Sequence, residues 1–194
     1  MPTPSPEADL VLASASPRRL DLLRLAGLDP VVAPADVDET VRDGEAPEVY
    51  VVRLARAKAE AASGRPGIVV LGADTTVVLD GHILGKPEDE RDAVAMLRRL
   101  AGRTHTVSTG VVALGAGDRR EIVVSTAVTF APLDDAAIRR YVATGEPLDK
   151  AGGYGIQGRA AAFVERIDGS YTNVVGLPLA QTLTVLRAAG LRGA

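Results

Sequence analysis

Short apolar segments alternate with helical patterns from the start of this chain. A compact apolar run at 9–13 predicts a buried strand. Ser16 and Pro17 predict that a helix begins directly after it, because Ser is a favoured N-cap and Pro fits the first helical position. Gly27 predicts the end of that helix. From 47 to 63, apolar residues recur at spacings of four, three and four, which indicates an amphipathic helix.

The rest of the chain continues the alternation. The apolar runs 68–71 and 77–79 flank a polar stretch, so Asp74 is expected inside a junction rich in β-structure. Two long segments, 104–114 and 121–130, predict paired strands joined by a Gly-rich turn. The remaining predictions are an extended segment at 31–39, helices at 87–102, 134–144 and 178–189, a Gly-dense loop at 152–158, and a strand at 161–167. Strands alternating with helices, with one long hairpin, predict an α/β fold with a mixed sheet.

The length of the chain sets the domain organisation that we expect. Its 194 residues have room for one domain or for two small lobes, at roughly 100 to 200 residues per domain. A composition of 46% hydrophobic and 24% charged residues is ordinary for a globular protein. We therefore predict a single domain over 1–194, with a flexible Pro-rich leader at 1–8.

Charge and composition disfavour several classes of partner. The net charge is −3 and aromatic residues make up 3% of the chain, so a global positive field for DNA is missing and stacking platforms for bases are scarce. The chain has no cysteine, and His82 and His105 are far apart, so we assign both histidines structural roles and expect any metal to be hard and oxygen-ligated. No apolar run approaches the roughly 18 residues of a membrane span. We predict a cytoplasmic protein that binds neither nucleic acid nor membrane, and a homodimer is compatible with this picture.

Two cations occupy the predicted first turn of the first helix, where the helix dipole favours acids by roughly 0.3 to 1 kcal/mol per charge. Arg18 and Arg19, with the hydroxyls of Ser14 and Ser16 and the free amides of the helix terminus, would form a phosphate site. The alternative is a solvated helix start whose arginines extend into water. The buried strand directly before this turn favours the functional interpretation.

Asp74 is the second position that indicates chemistry, because Asp is disfavoured inside strands. A buried carboxylate needs a cation, a metal or backbone donors, whereas an Asx-type turn is the structural alternative. Lys58, Lys86 and Glu39 are either ligands or ordinary surface charges. Gln157 lies in a Gly-rich loop that either approaches a ligand closely or is simply a flexible turn.

Short motifs follow one another along nearly the whole chain. They are LASASPRR at 12–19, DE at 38–39, LARAKA at 54–59, GADT at 72–75, GKP at 85–87, TGV at 109–111, DKAG at 149–152, YGIQG at 154–158 and VGLP at 175–178. Together they resemble the Maf family of nucleoside triphosphate pyrophosphatases. Composition and periodicity alone would not have identified this family.

The resemblance implies hydrolysis of a nucleoside triphosphate between its α and β phosphates, with Mg²⁺ or Mn²⁺ as the divalent cofactor. It also implies a fold of two lobes around a central cleft. The family's acidic catalytic position falls on Asp74, which we expect to accept a proton from the attacking water and to contact the metal, with Glu39 as a second metal ligand. The family's other polar cleft positions fall on Ser14, Arg18, Arg19, Lys58, Lys86 and Gln157.

Within the family, Asp74-Thr75 and the Ile-Gln-Gly at 156–158 resemble the branch that prefers dTTP and UTP. This resemblance implies that Arg18, Thr75 and Gln157 determine specificity. The Gln157 amide has a donor and an acceptor for uracil or thymine, but it can flip to suit cytosine, so CTP stays open. The alternative function is a non-catalytic regulator that binds a nucleotide or a protein, since the family is also associated with arrest of septum formation.

Overall fold

The computed structural model describes residues 9–64, 67–115 and 118–192. Its strands are β1 (Leu10–Leu12), β2 (Val31–Val32), β3 (Val69–Leu79), β4 (His82–Leu84), β5 (Thr104–Gly115), β6 (Asp118–Phe130) and β7 (Val164–Asp168). Its α-helices are α1 (Pro17–Leu25), α2 (Pro47–Ala61), α3 (Glu90–Leu100), α4 (Asp135–Val142), α5 (Tyr171–Val175) and α6 (Leu179–Ala188). Short 3-10 helices cover Glu146–Asp149, Ala151–Gly153 and Arg159–Phe163.

The strands form a mixed sheet of seven strands in the order β2-β1-β3-β5-β6-β7, with β4 paired to β3. Strand β1 runs parallel to both of its neighbours, so that Val11 lies opposite Val31 on one side and Val70 on the other. Strand β4 runs antiparallel to β3, and β7 runs antiparallel to β6. The mixed α/β fold that the sequence predicts is confirmed.

The chain forms two compact units. The first unit contains the described residues up to Asp74, together with 109–123 and those from Gly176 onward. The second unit contains 75–108 and 124–175. Strands β3, β5 and β6 contribute residues to both units. The single domain over 1–194 stays a prediction, and the expected leader at 1–8 lies outside the described residues.

In the first unit, small residues let helix α2 lie close to the sheet. A Cβ atom on Gly72 would stand 2.0 Å from the carbonyl oxygen of Ala55, and one on Gly110 would stand 2.5 Å from the backbone of Val51. Only glycine fits such an approach. Because side chains alternate along a strand, Asp74 lies on the same face of β3 as Gly72, towards α2. Gly72 therefore lets α2 lie close to the face of β3 that carries the Asp74 carboxylate.

The second unit has a core of aliphatic and aromatic side chains. Phe130 is fully buried and meets the rings of His105 and Tyr154 edge to face, with centroids 4.9 Å and 4.8 Å away. Phe163 links Phe130 to Tyr141 in the same geometry. These edge-on contacts are the arrangement that aromatic quadrupoles favour. The histidine is thus part of the core of this unit.

Three of the predicted helix and strand starts differ from the structure by more than one residue, and one of these is β6, which begins at Asp118 rather than Glu121. Helix α3 begins at Glu90 rather than Pro87, because the Asp89 side chain caps it by accepting a hydrogen bond from the amide of Asp92. Strand β7 begins at Val164, because the first residues of the predicted strand belong to a 3-10 helix.

The segment around Asp74 also differs from its expected form. The two apolar runs that flank it belong to one continuous strand, β3, so the Asx-turn alternative is wrong. Of the extended segment predicted at 31–39, only Val31–Val32 pairs as a strand. Strand β4 and helix α5 were not predicted, and part of the predicted turn after β5 lies outside the described residues. Within the three described ranges, no helix is long and apolar enough to cross a membrane.

Candidate active site

A lysine and two carboxylates form the centre of the candidate site in the first unit. Lys58, on the buried side of α2, donates from Nζ to Oδ1 of Asp74 on β3 at 2.6 Å. The same Nζ lies 2.6 Å from Oε1 of Glu39. The side chains of Lys58 and Asp74 are each 11% exposed, whereas that of Glu39 is 46% exposed. One ammonium therefore joins a buried and an accessible carboxylate.

Arg19 is held in place from two sides. It is buried although it lies in the first turn of α1, so the solvated alternative is wrong for this residue. Its Nη1 donates to Oγ of Ser14 at 3.0 Å, and its Nε donates to the carbonyl oxygen of Gly176 at 2.8 Å. Ser14 Oγ also accepts from the amide of Ser16 at 3.2 Å, which fixes the turn before the helix. The guanidinium orientation is therefore set before any ligand arrives.

Burial and charge act in opposite directions on these groups. Burial raises the pKa of Asp74, and the positive charges of Lys58 and Arg19 partly oppose this rise. Burial likewise lowers the pKa of Arg19, and the negative charge of Asp74 partly opposes that fall. Asp74 is thus a better proton acceptor than an exposed aspartate, while the nearby cations favour its ionised form.

The loop that carries Glu39 is fastened to α2. Tyr50 donates from its hydroxyl to the carbonyl oxygen of Glu39 at 3.0 Å. Arg53 donates to both carboxylate oxygens of Glu45, at 2.6 Å and 2.7 Å, and to the carbonyl oxygen of Thr40 at 2.9 Å. The hydrogen bonds that Glu45 accepts from Arg53 lower the pKa of the Glu45 carboxyl to about 2. Together they define the course of the chain around Glu39.

The structure distributes the other expected site residues over both units. Arg18 is half-buried beside Arg19, and its charge contributes to the lowered pKa of Arg19. In the second unit, Thr75 is half-buried within β3, whereas Lys86 and Gln157 are exposed. The first unit thus brings together Ser14, Arg18, Arg19, Glu39, Lys58 and Asp74.

Sequence reasoning missed the residues that hold the site together. Gly176 belongs to a motif that carries the family resemblance, yet the bond from its carbonyl to Arg19 joins positions 157 residues apart. Tyr50 and Arg53 lie within the amphipathic helix predicted at 47–63, but its spacing did not indicate their bonds to the chain around Glu39. The acidic residue before the helix and the basic residue within it were the available signal for the Glu45–Arg53 pair.

The donor set fits a hard divalent cation. Asp74 and Glu39 supply carboxylate oxygens that converge on one point, now held by the ammonium of Lys58. Mg²⁺ is commonly bound through one or two carboxylates, with substrate phosphates and water completing its shell. Among the described residues, no group of three or more His, Cys, Asp or Glu side chains could form a complete protein cage. Asp74 and Glu39 therefore fit the one or two carboxylates of such a Mg²⁺ shell.

A buried carboxylate flanked by cations, in a mixed α/β fold, is typical of an enzyme that positions an anionic substrate for attack. The chain belongs to the Maf family, because the family model for Maf-like protein matches residues 9–189. This confirms the family that the motifs indicated.

Curated relatives match over nearly their whole length. The chain is 57% identical over 185 residues to a dTTP/UTP pyrophosphatase of Anaeromyxobacter dehalogenans strain 2CP-C, covering 93% of this chain and 94% of the relative. It is 53% identical over 183 residues to a dTTP/UTP pyrophosphatase of Myxococcus xanthus strain DK1622, covering 94% and 93%. A solved HAM1 protein from Coxiella burnetii has a TM-score of 0.51 at 17% identity, covering 93% of this chain and 98% of its own, which shows a shared fold.

Proposed function

We propose that this protein hydrolyses nucleoside triphosphates, with dTTP and UTP as preferred substrates, to a nucleoside monophosphate and pyrophosphate. Relatives that are 50–57% identical over most of the chain and bear the name dTTP/UTP pyrophosphatase support the reaction class. The observation that carries the mechanism is the buried Asp74 between Lys58 and Arg19. Because free nucleotides are the proposed substrates, we retain the cytoplasm as the proposed location.

Asp74 is the proposed general base. Water attacks the α phosphorus and forms a new oxygen–phosphorus bond, while its proton passes to the Asp74 carboxylate. The bond between the α phosphorus and the bridging oxygen breaks, and pyrophosphate leaves with that electron pair. A carboxylate whose pKa is raised by burial suits this role, and the bond from Lys58 fixes its orientation.

The basic residues are the proposed phosphate ligands. Arg19 has a fixed guanidinium, so little side-chain entropy is lost when it binds a phosphate oxygen. Arg18, Lys58 and Lys86 would add positive charge against the triphosphate, and Ser14 would orient Arg19. Charge accumulates on the pyrophosphate as it leaves, so these groups stabilise the transition state.

Asp74 and Glu39 would hold the divalent metal, Mg²⁺ or Mn²⁺. When bound, such an ion neutralises phosphate charge and increases the electrophilic character of phosphorus. Lys58 holds the two carboxylates close to each other. Thr75 and Gln157 are the proposed base-recognition residues in the second unit, with Arg18 as a third specificity position.

The test is a panel of nucleoside triphosphates with Mg²⁺, in which monophosphate, pyrophosphate and orthophosphate are measured separately. We expect pyrophosphate release, fastest with dTTP and UTP, and its loss after chelation of the metal. Asp74→Asn should lower kcat by about 10²- to 10⁴-fold, the usual contribution of a general base. Asp21→Asn, on an exposed face of α1, is the matched control and should keep wild-type kcat.

Three results would overturn the proposal. Orthophosphate as the first product would indicate cleavage at the γ phosphate. Full activity of Asp74→Asn would show that Asp74 is not the general base. Nucleotide binding without any product would favour the non-catalytic regulator.

A further inference from the structure

The loop that presents Gln157 is anchored by its backbone on both sides of that residue. The amide of Gly155 donates to the hydroxyl oxygen of Tyr141 at 3.3 Å. The amide of Arg159 donates to Oε2 of Glu146 at 3.2 Å. Gln157 itself is exposed, so its side chain is available while the chain before and after it is held.

The two anchors are joined to each other. Tyr141 donates from its hydroxyl to Oε1 of Glu146 at 3.1 Å. Burial raises the pKa of Tyr141, and the carboxylate of Glu146 adds to this rise, so the phenol stays protonated and keeps its donor. A continuous chain of hydrogen bonds therefore runs from Gly155 through Tyr141 and Glu146 to Arg159.

The loop also lies directly against the anchoring side chains. A Cβ atom on Gly158 would stand 2.0 Å from Oε1 of Glu146, and one on Gly155 would stand 2.7 Å from Cε of Lys150. Lys150 in turn donates from Nζ to the carbonyl oxygen of Glu146 at 2.7 Å. A side chain at either glycine would therefore have to displace the end of the Glu146 or the Lys150 side chain.

We propose that Glu146 and Tyr141 are positioning residues that set the base selectivity of the enzyme by holding the Gln157 loop in one conformation. This inference rests on the proposed function, and on the proposed role of Gln157 within it. An amide that can rotate offers its donor and acceptor in either order, and so pairs with uracil or with cytosine. The loop backbone sets where that amide meets the base, so a held loop presents it from one direction, whereas a loosened loop lets it approach either base.

The experiment compares kcat/KM for UTP with kcat/KM for CTP in a set of variants. Glu146→Ala and Tyr141→Phe should each reduce the ratio of UTP to CTP by about tenfold, the effect of about one lost hydrogen bond. Glu146→Gln should recover most of the ratio, because its amide oxygen can still accept from Arg159. Glu165→Ala, an exposed glutamate on β7, is the matched control and should leave the ratio unchanged.

A double variant tests whether Glu146 acts through Gln157. If it does, Glu146→Ala combined with Gln157→Ala should have the same ratio as Gln157→Ala alone. Amide hydrogen exchange at Gly155 and Arg159, measured without nucleotide, should be faster in Glu146→Ala, with little change in exchange of the β6 amides. If Glu146→Ala fails to fold, Tyr141→Phe carries the same comparison.

An unchanged UTP to CTP ratio in a folded Glu146→Ala or Tyr141→Phe variant would overturn the inference, even if exchange becomes faster. Additive effects of Glu146→Ala and Gln157→Ala would overturn the route through Gln157. If the wild-type protein releases no pyrophosphate from any nucleotide, the proposed function fails and the selectivity role fails with it. In that case the exchange rates still decide whether Glu146 holds the loop.

Discussion

The candidate site residues of the two units are held in place by different means. In the first unit, Lys58, Asp74 and Arg19 are buried and bind one another or the backbone, so the functional groups themselves carry the fixing contacts. In the second unit, Gln157 is exposed and its backbone neighbours are fixed by Tyr141 and Glu146. The difference suits the chemistry, because a general base works best when it is desolvated and fixed, whereas a recognition group must be open to the base.

The comparison also predicts where mutations destabilise the protein. A buried charge that loses its partner keeps its desolvation cost, whereas an exposed polar group regains water. Substitutions in the buried cluster should therefore affect both folding and activity. Substitutions at Gln157 should affect activity alone.

The largest effect is expected for Lys58→Met. This change leaves Asp74 buried without its nearest cation, so the free energy of unfolding should fall by about 3 to 5 kcal/mol. Urea denaturation followed by circular dichroism measures it. The double variant with Asp74→Leu should recover much of the loss, because it replaces the broken pair with apolar contacts.

An exposed ion pair provides the control for Lys58→Met. Arg103 pairs with Asp80 in the second unit, where their side chains are 46% and 59% exposed. Arg103→Met should change the stability far less, because water screens that pair. Equal losses for Lys58→Met and Arg103→Met would show that the Lys58–Asp74 bond does not carry the stability assigned to it.

The second prediction concerns how the stability of the second unit depends on pH through the buried His105. His105 is 2% exposed, bonds through Nε2 to the Tyr154 hydroxyl at 2.8 Å, and has a pKa that burial lowers to about 4. In the unfolded chain the His105 ring binds a proton near pH 6.5, whereas in the folded chain it does so only near pH 4. The contribution of neutral His105 to the free energy of unfolding is therefore fully present above pH 6.5. It is lost as the pH falls, and the loss reaches about 3 kcal/mol at pH 4.

His105→Phe tests this linkage by removing the titrating group. The fall in unfolding free energy between pH 7 and pH 4 should be about 3 kcal/mol smaller in the variant than in the wild type. His82→Gln, at an exposed position, should keep the wild-type fall. A fall of the same size in His105→Phe and the wild type would contradict a neutral, buried His105.

Local patterns predicted the fold class well and the long-range contacts poorly. Apolar spacing predicted α2, and the Ser16–Pro17 pair predicted the start of α1, because both signals come from residues close together in the sequence. The start of α3 was wrong, since several acidic residues follow Pro87 and only the side chain of Asp89 makes the cap. Boundaries therefore depend on which of several similar residues forms a bond.

The candidate site shows the same limit. Asp74 was expected to need a cation, a metal or backbone donors, and the structure supplies a cation in Lys58, a residue whose own sequence context was equally consistent with a surface lysine. No periodicity links Arg19 to the carbonyl of Gly176, or Tyr50 to the carbonyl of Glu39. Such contacts depend on how the elements pack, although Gly72 is a local residue that marks the close approach of α2 to β3.

The smallest expected effect on folding is that of Gln157→Ala. Because the side chain is exposed and the loop is held through Gly155 and Arg159, the free energy of unfolding should stay within about 0.5 kcal/mol of the wild type. The preference for UTP over CTP should nevertheless fall, since the amide that is proposed to distinguish the two bases is gone. Urea denaturation and paired kcat/KM measurements on the same preparation check both statements. A large loss of stability would mean that Gln157 supports the loop, and the contrast with Lys58 would then disappear.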